Sequence, residues 1–228
     1  MSNLLHFSEH TLQEVALVIM AIVYSFRLRW LLKFKAGKER QASTGAVDTT
    51  PRKGIIYSLA NIASPWAMES TRSKPFFYAQ FVAFHIGVVG AIALSFVIPY
   101  APGFLEIGGI VPIFQIFIGL AFIVGVMRIY RRITNLYIRA ISSPDDYFSL
   151  LLLTVWFLFA FLAVPNNSAN GEGILLTYFI LTAFFLIYVP FSKISHYLYY
   201  PFTRYYLGKT MGHRGVYPVE RVRERKAN

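Results

Sequence analysis

The sequence predicts an all-α membrane protein with five transmembrane helices, the N-terminus outside and the C-terminus cytoplasmic. Three observations lead there. The 228 residues are 56% apolar, with a mean hydropathy of +0.50, which is more apolar than a soluble domain. The apolar residues are gathered into five runs, each close to the roughly 17–25 residues a spanning helix needs. The 22 lysines and arginines fall at alternate ends of those runs, as the positive-inside rule requires. No run alternates apolar and polar residues at period two, which argues against a β-barrel.

The spans fall near residues 11–32, 76–99, 110–130, 147–164 and 174–199 of a single membrane domain, 1–228. The opening M-S-N-L-L-H-F-S-E-H has no basic n-region and no small-residue cleavage site, so the first span reads as retained. His6 and His10, four apart, share a helix face; interfacial histidines fit them better than a metal site. The first span closes on R-L-R-W-L-L-K-F-K, aromatic and basic residues mixed as at an inner interface. The cytoplasmic loop, 33–75, opens with a polar linker, 36–54, and continues from Ile55 to Glu69 as a segment apolar enough to lie on the membrane surface, anchored by Trp66 after Pro65. Pro75 then suits the first turn of the second span. That span carries His85, with Gly87 and Gly90 nearby; glycines there admit either a neighbouring helix or a flat macrocycle.

The third span ends in M-R-I-Y-R-R-I. Before the fourth, S-S-P-D-D offers Ser143 or Asp145 as a cap, Pro144 at the first position, and an acidic pair suited to the helix dipole. Asp145 and Asp146 therefore read as capping rather than chemistry. The fifth span carries Phe179, Phe184, Phe185 and Tyr188, any of which can pack a ring system, before Pro190 interrupts it. A basic cytoplasmic tail, 203–228, follows, suited to anionic lipid or a soluble partner.

A net charge of +11 on a soluble domain would suggest nucleic acid, but its distribution points elsewhere. Eight basic residues lie between Lys33 and Lys74, four between Arg128 and Arg139, and eight from Lys193 onward, with Arg27 and Arg29 closing the first span. Segments 1–11, 100–109 and 165–173 have none. The expected surroundings are a lipid bilayer and no nucleic acid. The chain contains no Cys, so it holds neither a Cys-ligated iron–sulfur cluster nor a covalently attached haem.

Two histidines lie in apolar stretches: His85 in F-V-A-F-H-I-G-V-V-G, and His196 in Y-V-P-F-S-K-I-S-H-Y. An ionisable ring at membrane depth is costly and marks function by default, and imidazole is a common axial ligand of haem iron. Helix rise puts His85 roughly 13 Å from the inner end of its span, and His196 lies near the inner end of the fifth. One helix running outward and one inward bring the two to similar depth. The pair predicts one non-covalent haem b, each ring giving one nitrogen to iron and donating the other N–H to a carbonyl or hydroxyl. Ser192 and Ser195 lie close enough to take part, or serve the helix backbone.

Three segments, F-H-I-G-V-V-G, R-R-I-T-N-L-Y-I-R-A-I-S-S-P-D-D and P-F-S-K-I-S-H, occur in the order and topology of the gamma subunit of respiratory nitrate reductases. Across spans two to five the chain resembles that b-type cytochrome family, with its relatives in sulfite-reduction and heterodisulfide-reductase-like membrane complexes. The resemblance implies His85 and His196 as axial ligands of the cytoplasmic-side haem. It implies a propionate partner in the pair Arg131 and Arg132, with Arg132 the better fit; Lys193 is the second candidate cation at this face. The family's second haem uses histidines where this chain has Ser95 and Tyr178, so the resemblance implies one haem kept and one lost. The family's quinol site uses a Lys near the start of the third span, where this chain has only Glu106. Menaquinone or ubiquinone is expected without an assigned site.

The expected function is that of a membrane-bound cytochrome in the inner membrane of a prokaryote. It would pass electrons between the quinone pool and cytoplasmic iron–sulfur and catalytic subunits, without itself turning over the terminal substrate. The alternative is a haemless membrane anchor in which His85 and His196 hydrogen-bond between helices. A transporter is disfavoured, since the spans hold no acidic pair, no matched broken helices and no internal repeat.

Overall fold

The computed structural model describes residues 2–33, 40, 42, 49–64, 69–169 and 171–218, and among them every regular element is helical. In chain order these are α1 (Asn3–Glu9), α2 (Thr11–Lys33), α3 (Pro51–Ala63), α4 (Glu69–Arg72), α5 (Pro75–Tyr100), α6 (Ile110–Thr134), α7 (Leu136–Ala140), α8 (Pro144–Ala163), α9 (Gly173–Tyr188) and α10 (His196–His213). Five stretches are long and apolar enough to cross a membrane: Asn3–Lys33, Pro75–Tyr100, Ile110–Thr134, Pro144–Ala163 and Gly173–Phe191.

Two boundaries differ most from the sequence reading. The first apolar stretch begins at Asn3 rather than 11, because Ser2 caps α1 by accepting from the Leu5 N–H at 3.2 Å. The fifth does not run to 199. Pro190 lacks an N–H to continue the ladder, and its ring crowds the preceding turn. The chain therefore passes through 3-10 turns at Val189–Phe191 and Lys193–Ser195, and restarts as α10 at His196. Residues 36–39, 41 and 43–48 of the linker, the Pro65–Trp66 anchor and the tail beyond 218 lie outside the described residues.

The chain divides into two compact units, Met1–Arg29 with Phe76–Ser195, and Trp30–Pro75 with His196–Asn228. In the first, the helices cannot be gathered by the hydrophobic effect, since lipid tails are as apolar as leucine; close packing and polar bonds must do it. A Cβ on Gly87 would lie 2.2 Å from Ala121 Cβ, and one on Gly125 2.5 Å from Thr154 Oγ1, so α5 and α8 approach α6 at glycines. Gly87 thus serves helix packing rather than a macrocycle. Buried polar bonds tie the rest. Tyr178 Oη donates to the Ala91 carbonyl (2.6 Å), Trp156 Nε1 to Thr182 Oγ1 (2.8 Å), and Gln13 Nε2 to the Phe179 carbonyl (2.6 Å). The first span is peripheral, with 6% of its apolar window buried against 39% for the fourth and fifth.

Contacts within each unit sort the loops by side. Ser2 donates through its N–H (2.7 Å) and its hydroxyl to Glu172, and Tyr100 Oη donates to Glu14 (3.0 Å). The N-terminus, the end of the second span and the loop before the fifth therefore share a side. The two donors on Ser2 hold the Glu172 carboxyl below its ordinary pKa. In the second unit α3, which precedes the second span, packs on α10, which follows the fifth. Four spans intervene, an even number, so one side holds both.

The second unit is a close helix pair. Thr50 caps α3 by accepting from the Lys53 N–H (3.2 Å), with Pro51 at the first position. A Cβ on Gly54 would fall 2.2 Å from the Gly208 carbonyl, and one on Gly212 2.4 Å from the Thr50 carbonyl. Ser58 Oγ donates to the Arg204 carbonyl (2.8 Å), and the Arg204 guanidinium returns two bonds to the Ser58 carbonyl (3.1 and 2.9 Å). Gly208→Val is expected to cost about 1–3 kcal/mol through overpacking. Hydrogen exchange should accelerate in α3 and α10 and stay unchanged in α5, α6 and α8.

Candidate functional site

His85 sits half-buried on α5. Its Nδ1 is 2.7 Å from the Phe81 carbonyl one turn earlier, and its ring lies on Phe81 with centroids 4.0 Å apart. A carbonyl only accepts, so Nδ1 carries the hydrogen of this contact. Metal-ligating histidines are held in this way, by a second partner that fixes tautomer and ring. His196 is the exposed first residue of α10 and belongs to the second unit, whereas His85 belongs to the first. The serines beside His196 are spent on the turn. Ser192 Oγ accepts from the Ile194 N–H (3.1 Å), and Ser195 Oγ donates to the Ser192 carbonyl (2.7 Å).

The two candidate cations are brought together, on Asp146. Ser143 and Asp146 form a capping box at the start of α8, and the Asp146 carboxylate accepts from the Ser143 N–H and hydroxyl, both at 2.8 Å. The same carboxylate lies 2.9 Å from Lys193 Nζ and 3.8 Å from Arg132 Nη1. Lys193 also donates to Ser143 Oγ (2.8 Å), and Arg132 to Ser142 Oγ. Asp145 accepts from Tyr188 Oη (2.6 Å), whose hydroxyl also meets Ser149 (2.8 Å). The capping reading of the acidic pair holds, with a second task added: these carboxylates fasten the end of α9 and the turn after it. The other cations of α6 rest on aromatic faces of α5. Arg128 lies 4.6 Å from the Phe84 ring centre, next in chain to His85, and Arg131 lies 4.3 Å from Phe77.

Ser95 and Tyr178 are both buried in the packing of the first unit. Tyr178 is fully buried, with its hydroxyl on Ala91 and its ring beside Trp156 and Phe179. Ser95 donates to the Ile92 carbonyl (2.7 Å). Phe179 and Phe185 are buried against Tyr178 and Trp156, while Phe184 is exposed and stacks on Tyr188. Glu106 is exposed, in a 3-10 turn before α6.

Sequence reasoning missed a polar cluster at the opposite end. Ser8, Glu9 and Gln13 are buried, and Gln13 Oε1 has no hydrogen-bond partner. His6 and His10 face one another at 4.8 Å between ring centres, and His10 meets Tyr100 at 5.3 Å. Among the described residues no group of three His, Cys, Asp or Glu is placed to hold a metal. The signal was a helix-competent N-L-L-H-F-S-E after a capping serine, which extends the first span to include these side chains.

No family model matches the chain, and no solved structure matches it. It is similar to a protein of Nitratidesulfovibrio vulgaris described simply as "Protein". The two are 29% identical over 168 residues, which cover 68% of this chain and 70% of that one.

Asp146→Ala removes the cap and both cation contacts. It is expected to cost about 1–2 kcal/mol in thermal unfolding. Lys193→Met, at the exposed end of the same contact, should cost less than about 1 kcal/mol. Limited proteolysis between 189 and 195 should rise in the first variant more than in the second.

Proposed function

We propose that this chain is the b-type cytochrome subunit of a membrane redox complex in a prokaryotic inner membrane. It passes electrons between the quinone pool and cytoplasmic iron–sulfur and catalytic subunits through one non-covalent haem b. The reading rests first on the resemblance of its three motifs to the nitrate reductase gamma family. The observation that supports it best is the His85 ring, held inside a span by the Phe81 carbonyl at 2.7 Å from Nδ1. His85 and His196 are the axial ligands in this reading.

When bound, the haem supplies one-electron exchange, and two axial imidazoles suit that over oxygen activation. The residues of the chain do the rest. The Phe81 carbonyl orients the His85 ring. Pro190 and the Asp146–Lys193 contact set where α10, and so His196, begins. The basic residues at the inner end, Arg132 and Lys193 among them, supply positive charge for propionates. Tyr178 fills the space of the second family site, which favours one haem over two.

The second reading, a haemless anchor, draws on one observation: Arg132 and Lys193 already share the Asp146 carboxylate. One set of measurements separates the two. The purified full chain, expressed with ample haem, should give a reduced-minus-oxidised α band typical of b haem, with close to one haem per chain by pyridine haemochrome. His85→Ala and His196→Ala should each abolish the low-spin spectrum while the chain stays in the membrane, and His213→Ala should not. No α band at all would favour the anchor. A normal bis-histidyl spectrum in His196→Ala would remove the ligand assignment.

A further inference from the structure

The helix α3 is built inside out. Its buried positions are Gly54, Ser58 and Asn61, small or polar residues turned toward α10. Its outward positions include Ile56, Leu59 and Ile62, which are 59%, 36% and 40% exposed. At 100° per residue Ile56, Leu59 and Ala60 lie on the face opposite Gly54 and Ser58. A helix in water turns its apolar stripe toward its partner; this one turns it away. The partner helix α10 likewise leaves Tyr197, Tyr200 and Tyr205 exposed.

Charge and tether identify what lies against this face. The segments 30–75 and 196–228 of the second unit hold fifteen of the 22 lysines and arginines, and five of the 11 acidic residues. Arg52 and Lys53 are exposed at the start of α3, and Lys209 on α10. Apolar side chains, tyrosines and a large positive excess are the composition of helices that lie in the headgroup region of an anionic leaflet. Chain length keeps the pair there. Five residues lead from Phe191, the end of the fifth apolar stretch, to His196, a reach of at most about 18 Å. The glycine contacts and the Ser58–Arg204 bonds hold α3 to α10.

We propose that the α3–α10 pair is an interfacial module whose outward α3 face lies in the acyl–headgroup boundary of an anionic leaflet, drawn there by its basic residues. It does not depend on the haem assignment. The absence of cysteine makes the test direct. Single cysteines at Ile56, Leu59 and, as a water-exposed reference, Glu106 would carry nitroxide labels in the full chain. Collision with oxygen and with a water-soluble nickel chelate would be read in nanodiscs containing phosphatidylglycerol, and in nanodiscs of phosphatidylcholine alone. The expected result is an oxygen-to-nickel ratio several-fold higher at Ile56 and Leu59 than at Glu106 in the anionic nanodiscs, and a lower ratio for the same two labels in the zwitterionic ones. Labels at both positions as open to nickel as the reference would overturn the proposal and assign the face to a protein partner. Equal ratios in the two lipids would overturn the requirement for anionic headgroups.

Discussion

The end of the first unit at which α8 begins depends on one carboxylate. Asp146 stands in the first turn of α8, where the helix dipole and the orphan N–H groups already favour negative charge. That placement makes it a fixed anion, and Lys193 binds it only because α9 ends early. Had α9 continued through Pro190, the helical path would carry Lys193 about 1.5 Å per residue along the axis, away from the start of α8. The proline break and the ion pair are thus two halves of one device. Tyr188, the last residue of α9, is held by Asp145 on the near side of the break, and Lys193 by Asp146 on the far side. The first residue of α10 follows from a turn clamped at both ends.

Farther into the membrane a different constraint rules. Every helix satisfies its own backbone, so the order of packing has to come from the few groups that differ from lipid. The structure uses them economically. Tyr178, Trp156 and Gln13 each place one donor on a neighbouring helix, and Gly87 and Gly125 admit close backbones. Tyr178 is the telling case. A histidine there would bring a ring nitrogen suited to iron; the tyrosine brings a hydroxyl that reaches the Ala91 carbonyl and a ring that fills the space. Tyr178 makes that level of the bundle a packing position.

The spans were legible because hydropathy reports burial in lipid residue by residue, and their pairing of ends followed from the charges. The contacts of Ser2 with Glu172 and of α3 with α10 agree with the count of five crossings on independent grounds. Pro190 was visible in the sequence, but its consequence was not, because a proline in an apolar run signals either a kink or a stop, and only the partner at Asp146 decides. The buried cluster of Glu9 and Gln13 near the N-terminus was hidden for a related reason: polar residues before an apolar run read as solvent loop unless a cap such as Ser2 extends the helix over them. The inverted face of α3 was half visible. Its apolar content was plain, but which side faced α10 depended on glycines 54, 208 and 212, which lie far apart in the chain.

The charges around the start of α8 bear on what that region can bind. Of the cations gathered there, Arg132 and Lys193 share the single negative charge of Asp146, within a network that also caps α8. Drawing them onto another anion would loosen that cap as well as the turn before His196. Arg128 and Arg131 have no carboxylate among the described residues; they lie on the rings of Phe84 and Phe77. A cation on an aromatic face keeps its hydrogen-bond donors for another partner, because the ring takes the flat of the guanidinium and not its edge. Both rings belong to α5, the helix that carries His85. The family resemblance pointed to the arginine pair as a unit and preferred Arg132. An anion docking at this end would meet two guanidinium edges, those of Arg128 and Arg131, without disturbing the Asp146 clamp.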